Sequence, residues 1–277
     1  MKIGILHPGD MGASVGDSAR MAGNEVYWLS EQRSAKTRER AARAQLIECA
    51  RLDDLASICE LLVSVCPPEA SNTLAATVLA SGFRGVFVEA NAISPQRSRA
   101  IGATFEDSGI EYVDGGIVGP PAWQAGSTRL YLSGAAGEMM ASVFAGGVLE
   151  LRFIDAHIGS ASAMKMCYAA FTKGSTAVVA EVLAAAAHFG VADFLTSEWG
   201  GDAMHKRVNS VRRIAGRAWR WESEMHEIAD TLASAGLPDG IHRAAADLYS
   251  RLASYKDCTE LPEWEALLAS LLKRTEP

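Results

Sequence analysis

A single lysine, Lys165, stands among small and apolar residues in the segment 159–168, which reads GSASAMKMCY. A lysine withdrawn from water has its charged form disfavoured, so its pKa falls toward the range in which it exchanges protons. Its flexible stem and single charge suit proton transfer better than a guanidinium does. Lys165 is therefore a candidate general acid/base. The alternative is a lysine whose charged end reaches the surface from an apolar helix.

The turn after the first strand-like run carries Gly9 and Gly12, separated by Asp10 and Met11. A dinucleotide-binding turn has the pattern G-x-G-x-x-G, in which the glycines allow a tight turn, close approach of backbone to pyrophosphate, and close helix–strand packing. Its second and third glycines are present, whereas His7 stands at the first. Phosphates would bind at the N-terminus of the following helix. Residues 9–12 thus predict a dinucleotide site, although such glycines also serve packing alone.

The end of the second strand-like run should reach the adenine ribose. An acidic residue there binds the ribose of NAD, whereas a nearby Arg accommodates the 2′-phosphate of NADP. Ser30 occupies the strand end and Glu31 follows it, while Arg33, Ser34 and Lys36 can hold a phosphate through charge-assisted hydrogen bonds. The alternative is that Ser34 caps the next helix and Arg33 is solvated. The sequence favours NADP, with NAD as the second choice.

Short β-branched runs alternate with helical stretches in the first half of the chain, and the pattern changes near residue 157. The strand-like runs are 2–6, 25–29, 61–65, 85–89, 111–114, 129–133 and 149–154, and the helical stretches include 11–22, 34–44 and 69–80. This alternation predicts an α/β fold with a Rossmann-type, doubly wound, mostly parallel sheet, whose far edge is mixed. Only helical patterns follow. We predict a dinucleotide-binding domain over residues 1–157 and an all-helical domain over 158–277.

Composition narrows the class of protein. The 277 residues are 49% hydrophobic and 21% charged, with a net charge of −7, which argues against non-specific binding of nucleic acid and against a basic membrane-surface protein. Five cysteines without a C-x-x-C pair suit a reducing cytosol. The chain opens on a strand-like run, so we expect no signal peptide, and the longest apolar stretch, 176–187, is too short to span a bilayer. No Cys/His pattern resembles a metal site. These features predict a soluble, cytoplasmic protein without a metal.

Three features occur in the order and spacing of one family: Met11-Gly12 in the first turn, the segment 113–119 (VDGGIVG), and Lys165. The chain resembles the β-hydroxyacid dehydrogenases over essentially its whole length. That superfamily includes 3-hydroxyisobutyrate and 6-phosphogluconate dehydrogenases, with imine reductases as a related branch. The C-terminal part looks like a poorly characterised branch with its own helical domain. The resemblance implies an NAD(P)-dependent oxidoreductase that transfers a hydride between nicotinamide and a hydroxy acid or the corresponding carbonyl compound, with Lys165 as general acid/base.

The resemblance also assigns residues around the nicotinamide. Cys66 and Pro67 would pass beside its ribose, and Asn91 would touch both nicotinamide and substrate. The active site would lie in the cleft between the domains, at the carboxyl ends of the strands. The helical domains of this family commonly pair, so the resemblance implies a homodimer.

The family's substrate-binding Ser-Gly-Gly reads Val118-Gly119-Pro120 in this chain. The hydroxyl is absent, and proline removes one N–H donor that would hold a substrate carboxylate. Trp123 follows in the same loop as a candidate aromatic wall for a bulkier substrate. The sequence therefore predicts a substrate loop that differs from the family's.

The helix that follows Lys165 departs from the family as well. Relatives often carry a substrate-binding Asn four residues after the lysine, where this chain has Ala169, so the role is vacant or filled by Tyr168 or Thr172. Lys173 is expected to be solvated, or else to bind an anionic group. Two alternatives to the dehydrogenase remain. One is an imine reductase, although such enzymes generally replace the lysine, and the other is a non-catalytic NADP(H)-sensing protein.

Overall fold

The computed structural model describes residues 1–256, 258 and 260–273. It divides into two compact units, the first covering Met1–Met166 and the second beginning at Cys167. The division falls within a long helix, whereas the domain boundary that we predicted, between residues 157 and 158, lies just before that helix. The first turns of the helix belong with the sheet because they pack directly against one of its strands.

The first unit is built on an eight-stranded sheet in the order β3-β2-β1-β4-β5-β6-β7-β8. Neighbouring strands run parallel except for the antiparallel pair β6 and β7. This confirms the predicted doubly wound, mostly parallel sheet with a mixed far edge. The strands are β1 (Lys2–Ile5), β2 (Glu25–Leu29), β3 (Ile47–Cys49), β4 (Leu61–Ser64), β5 (Val86–Glu89), β6 (Glu111–Val118), β7 (Arg129–Ser133) and β8 (Glu150–Phe153).

Helices accompany the sheet, and its two faces bury separate hydrophobic clusters. Neighbouring residues of β4 show this arrangement, because Val63 packs in one cluster with Val15, whereas Leu62 packs in the other with Phe87. Side chains of a strand point alternately to opposite faces, so a sheet covered on both sides needs continuous apolar runs. The helices of this unit are α1 (Asp10–Met21), α2 (Ala35–Arg43), α3 (Leu52–Ile58), α4 (Ser71–Ala80), α5 (Pro95–Thr104) and α6 (Met140–Val143).

The sequence patterns did not predict β3, α3 and α5, and they ended β6 too early. β3 is a short edge strand with two exposed residues, so it has little hydrophobic pattern. The start of α5 did carry signals, since Ser94 caps it by accepting from Arg97 N–H and Pro95 occupies its first turn. β6 runs through Gly115 and Gly116, which have low strand propensity, because pairing with β5 and β7 outweighs that propensity.

The described residues of the second unit are helical and contain no strand. The helices are α7 (Ser160–His188), whose first turns belong to the first unit, then α8 (Ala192–Trp199), α9 (Gly201–Ile214), α10 (Ala218–Ser234), α11 (Gly240–Ser250) and α12 (Trp264–Leu271). Val211, Met225, Ile228 and Tyr249 are fully buried within this unit. By length and composition alone, α7 is apolar enough to cross a membrane, a test that core helices of soluble proteins also pass, and 39% of its most apolar window is buried.

Candidate functional site

The β1–α1 turn has the space that a phosphate group requires. Gly9 precedes α1, and no side chain in the described part of the chain caps that helix or lies within 4 Å of a Cβ built on Gly9. A Cβ on Gly12 would lie 2.2 Å from the carbonyl oxygen of His7, so the helix approaches the turn more closely than any other residue type permits. Asp10 is paired with Arg40 of α2 at 2.6 Å, and Met11 packs against the core. The free N–H groups of α1 are therefore open to a ligand.

The loop after β2 holds a half-buried guanidinium. Arg33 Nη2 donates to the carbonyl oxygen of Leu6 at 3.1 Å, while its buried Nε has no hydrogen-bond partner among the described residues. Burial lowers the pKa of Arg33, and burial together with the Arg33 charge lowers the pKa of His7 to about 4. Ser34 caps α2 by accepting from Thr37 N–H at 3.3 Å. The prediction that Ser34 caps the next helix is thus confirmed. The prediction that Arg33 is solvated is wrong, because its guanidinium is half-buried.

An unsatisfied guanidinium Nε beside the end of β1 fits an anionic group. Such a donor is costly to leave buried, and a phosphate oxygen would satisfy it. Ser30, at the end of β2, is buried, and its carbonyl oxygen accepts from Arg38 Nη2 at 3.2 Å. Together with the open turn at Gly9, these features leave space and an unused donor for anionic groups at this edge of the sheet.

The loop after β4 is tied to the end of β5 by one side chain. Asn91 Oδ1 accepts from the Cys66 N–H, and Asn91 Nδ2 donates to Ser64 Oγ at 3.0 Å and to Cys66 Sγ at 3.1 Å. Pro67 follows in extended conformation before a short 3₁₀ turn over Pro68–Ala70. The structure therefore brings Cys66 and Asn91 together, as the predicted nicotinamide site requires. The amide donors of Asn91 are used within the protein.

The end of β5 carries Glu89, a fully buried carboxyl that sequence reasoning missed. Its Oε1 accepts from the Asn91 N–H at 3.0 Å, and Ser64 also hydrogen-bonds to the carboxyl. Burial, with a smaller contribution from the charge of Asp114, raises the pKa of Glu89 to about 8. An acidic residue closing the apolar strand Val86–Glu89 was the available signal.

Asp114 on β6 is a second fully buried carboxyl, and it anchors the start of α7. Its Oδ2 accepts from the Gly159 N–H at 3.0 Å, the Ser162 N–H at 2.9 Å and Ser133 Oγ at 2.9 Å. Its Oδ1 accepts from Ser98 Oγ at 2.7 Å and from the Ser162 hydroxyl. A carboxylate that receives the first free N–H groups of a helix both caps it and favours its dipole. Asp114 thereby fixes the start of α7 relative to the sheet.

The anchored helix places Lys165 over β6. A Cβ built on Gly116 would lie 2.6 Å from the carbonyl oxygen of Ala161 and 2.9 Å from Lys165 Cβ, so only glycine lets α7 pack this closely. Glu89 and Asp114 pair in register, and Asn91 and Gly116 each follow two residues later. The half-buried Lys165 thus lies at the carboxyl edge of β5 and β6, the edge that carries Asn91.

The loop after β6 is packed against other parts of the first unit. Val118 is buried, and Gly119 has a φ of +127° with a built Cβ 2.4 Å from the carbonyl oxygen of Ser127. Pro120 is exposed, and its carbonyl oxygen accepts from Thr128 Oγ1 at 2.5 Å. The Trp123 ring lies 4.3 Å below the guanidinium of Arg43, at the end of α2. The structure therefore places the predicted aromatic wall beside α2.

In the second unit, the expectation that Lys173 is solvated is wrong. Its ammonium pairs with Glu224, both side chains being about 15% exposed, and lies 4.9 Å from the Trp221 ring. Its carbonyl oxygen accepts from Tyr249 Oη at 2.6 Å. Helical spacing alone did not reveal this pairing, because Glu224 is on another helix. Tyr168 is exposed within this unit.

The fold and site define a class: a doubly wound α/β domain followed by a helical region, the architecture of the hydroxyacid dehydrogenases. The chain is similar to a conserved protein of unknown function described as structurally similar to 3-hydroxyacid dehydrogenases, with 26% identity, a TM-score of 0.64 and coverage of 92% of this chain and 98% of that one. It is similar to 3-hydroxyisobutyrate dehydrogenase from Salmonella typhimurium, with 17% identity, a TM-score of 0.70 and coverage of 97% and 99%. An imine reductase variant from Myxococcus stipitatus in complex with NAD+ matches with 16% identity, a TM-score of 0.58 and coverage of 98% and 99%.

The resemblance predicted from the sequence is confirmed at the level of fold. Residues 186–252 match a family described as "Domain of unknown function (DUF1932)", which lies in the helical C-terminal region. No match was found among curated proteins. Among the described residues, no group of three or more His, Cys, Asp or Glu side chains is arranged to hold a metal ion.

Proposed function

We propose that this protein is an NAD(P)-dependent oxidoreductase that transfers a hydride between nicotinamide and a hydroxy acid or the corresponding carbonyl compound. The observation that carries the proposal is the position of Lys165, which Asp114 and Gly116 hold at the carboxyl edge of β5 and β6. In doubly wound sheets, ligands bind outside the carboxyl ends of the strands at the switch in strand order, and the nicotinamide half belongs with the second set of strands. The likeness to hydroxyacid dehydrogenases and imine reductases supports the same reaction class.

Lys165 would handle the proton of the reaction. When bound, the nicotinamide accepts or donates the hydride at its C4. In oxidation, the neutral amine of Lys165 takes the proton of the substrate hydroxyl, and in reduction the ammonium donates a proton to the carbonyl oxygen. Val118 and Pro120 provide neither the family's hydroxyl nor its second N–H, so this chain would grip its substrate through other groups.

The preferred cofactor in this proposal is NADP. Arg33 supports this choice, because its half-buried Nε has no hydrogen-bond partner among the described residues. It lies at the end of β1, next to the strand end that reaches the adenine ribose. Residues 9–12 would receive the pyrophosphate on the N-terminus of α1. Cys66 and Pro67 would line the nicotinamide ribose, and Asn91 would contact the nicotinamide and the substrate.

The test combines binding with turnover. Isothermal titration with NADPH and NADH measures cofactor binding, and a panel of hydroxy acids and aldehydes measures hydride transfer. Lys165→Ala should retain NADPH binding and lose at least about 100-fold in kcat, which added primary amines should partly restore. Lys2→Ala, at the exposed start of β1, is the matched control. Unchanged turnover in Lys165→Ala would refute the proposed mechanism.

Two other functions are separated by the same assays. Cyclic imines belong in the panel because imine reductases share this fold. Turnover of the cyclic imines and of no other panel member would favour an imine reductase. Tight NADPH binding without turnover of any panel member would favour a cofactor-sensing protein.

We also propose a cytoplasmic homodimer. All five cysteines are free, as a reducing compartment would leave them. Large apolar side chains recur at steps of three, four or seven residues along the exposed face of α7, a spacing typical of helix–helix interfaces, and α8 extends the patch. We call Tyr168, Phe171, Val178, Val182 and Phe189 of α7 with Phe194 of α8 the apolar stripe.

A further inference from the structure

A row of buried polar side chains crosses four adjacent strands at the candidate site, at the last residue of β4, β5 and β7 and in the middle of β6. Ser64, Glu89, Asp114 and Ser133 are paired in register across β4, β5, β6 and β7, and each is 0% exposed. Residues in register project to the same face of a sheet. The row therefore connects the Asn91 loop on one side with the anchored start of α7 on the other.

The two carboxyls in this row have different surroundings. Asp114 accepts two N–H and three O–H donors through its two oxygens. Glu89 accepts from Asn91 N–H and is hydrogen-bonded to Ser64, but its buried Oε2 has no hydrogen-bond partner in the part of the chain described. Two neighbouring carboxyls buried together hold one charge more readily than two. Glu89, which is fully buried and accepts fewer donors, therefore keeps its proton.

The position of Glu89 at the end of β5 allows its protonation state to affect the binding of the nicotinamide ring. β5 belongs to the second half of the doubly wound sheet, whose carboxyl edge receives the nicotinamide. The nicotinamide ring is neutral when reduced and carries one positive charge when oxidised. In a low-dielectric interior, a nearby negative charge stabilises the oxidised ring more strongly than it would in water.

We propose that Glu89 is a charge-compensating residue, which loses its proton when oxidised nicotinamide binds and keeps it when reduced nicotinamide binds. The inference rests on the proposed function, because it assumes a nicotinamide at the carboxyl edge of β5. It assigns Glu89 a positioning role for charge, separate from the proton transfer assigned to Lys165. The site then favours NADP+ at alkaline pH and NADPH at neutral pH.

The other ionisable groups around the row do not replace Glu89 in this role. Burial raises the pKa of Cys66 to about 12, and burial with the Glu89 charge raises the pKa of Tyr112 well above its ordinary value. Both groups therefore stay neutral while Glu89, with its pKa near 8, titrates. The charge that acts on Glu89 is Asp114 on β6. Arg97 lies on α5, where its Nη1 donates to the carbonyl oxygen of Pro68, and Lys165 lies on α7 over Gly116.

The test compares NADP+ with NADPH in the full-length protein. Both carry the same adenine half and 2′-phosphate, so the ratio of their dissociation constants removes every pH effect except the one at the ring. In the wild type, calorimetry should show that NADP+ affinity rises about tenfold relative to NADPH affinity between about pH 6 and about pH 9. A tenfold change corresponds to a shift of about one unit in the pKa of Glu89 between the two complexes. Glu89→Gln keeps the acceptor for Asn91 N–H and should give a ratio independent of pH.

Lys165→Ala is the matched control, because it removes the other ionisable side chain that the proposed function places beside the ring. Retention of the pH-dependent ratio in Lys165→Ala and its loss in Glu89→Gln support the proposal, whereas the reverse pattern overturns it. In a lightly buffered solution of wild-type protein at about pH 7.5, an indicator dye should report proton release on adding NADP+ and none on adding NADPH. Equal proton release on adding NADP+ and NADPH overturns the proposal, and this measurement does not depend on whether the Glu89→Gln variant folds. Absence of binding to either cofactor refutes the proposed function itself.

Discussion

At the scale of residues, the candidate site depends on polar groups whose environments are set by burial. Within the described residues, half-buried Arg33 has one donor without a hydrogen-bond partner, and buried Glu89 has one such acceptor. Both departures from ordinary hydrogen bonding lie at the carboxyl edge of the sheet, one in each half of the doubly wound arrangement. Buried polar atoms without partners are uncommon, and ligand sites are where they are expected.

Arg33 should determine the choice between the two cofactors. Arg33→Gln removes the charge that would meet the 2′-phosphate, so NADPH should bind about 10- to 100-fold more weakly while NADH affinity stays within about twofold. Calorimetric titration of both cofactors measures this difference. Arg51→Gln, at the exposed N-terminus of α3, is the control. An equal loss of NADH and NADPH affinity would show that Arg33 supports the fold instead.

Glu89 should make stability depend on pH. Its pKa is raised from 4.5 to about 8 in the folded state, so between these values the folded protein holds a proton that the unfolded chain has released. The stabilisation of the fold by this proton is fully present below the unfolded-state pKa of 4.5. As pH rises toward the folded-state pKa of about 8, the free energy of unfolding falls by about 1.4 kcal/mol per pH unit.

Glu89→Gln should abolish this loss. Relative to wild type, its free energy of unfolding should rise by about 3 kcal/mol between pH 5 and pH 7.5, as measured by urea denaturation. Parallel pH dependences for the two proteins would mean that Glu89 is not protonated in the native state.

At the scale of elements, the contact between α7 and β6 decides where the lysine lies. Asp114 caps the helix from the strand, and Gly116 leaves room for the helix backbone two residues further along. The two residues act together, because the cap fixes the start of α7 and the missing side chain fixes its distance from the sheet.

Gly116→Ala should displace the helix. The added Cβ would meet the carbonyl oxygen of Ala161 and the Cβ of Lys165, neither of which can swing away as a flexible side-chain end can. We expect kcat to fall about 10- to 100-fold and stability to fall by about 1–3 kcal/mol. Gly240→Ala, at the start of α11 where a Cβ meets nothing within 4 Å among the described residues, should leave both unchanged. If the Gly116→Ala variant kept the wild-type kcat, Gly116 would not be needed to position Lys165.

At the scale of the whole molecule, the apolar stripe should hold two copies together. Phe171 is 77% exposed and Phe189 is 74% exposed, which is unusual for large apolar side chains arranged on one helix face. The double variant Phe171→Glu/Phe189→Glu should sediment as a monomer at a concentration of about 10 μM, because charges in an apolar interface are poorly compensated. Gln124→Glu, in an exposed loop, should sediment as the wild type does. A monomeric wild type would refute the proposed dimer.

Local patterns in the sequence were sufficient for much of the fold and for part of the site. Apolar runs with turn signals predicted seven of the eight strands, and the spacing of Gly9 and Gly12 predicted the β1–α1 turn. These features depend on residues close together in the chain, where backbone propensity and side-chain periodicity act directly. Lys165 stood out for the same reason, since a lone cation in an apolar segment is visible without any structure.

The tertiary structure alone decided which distant residues meet. Ser64, Glu89, Asp114 and Ser133 form one row only because β4, β5, β6 and β7 are neighbours in register, which follows from strand order and not from local pattern. Packing likewise brings Arg33 to the end of β1, and it brings Lys173 to its partner Glu224 on another helix. Protonation and pairing depend on burial and on neighbours distant in the chain, so the sequence by itself determined the elements, and packing decided the chemistry of their side chains.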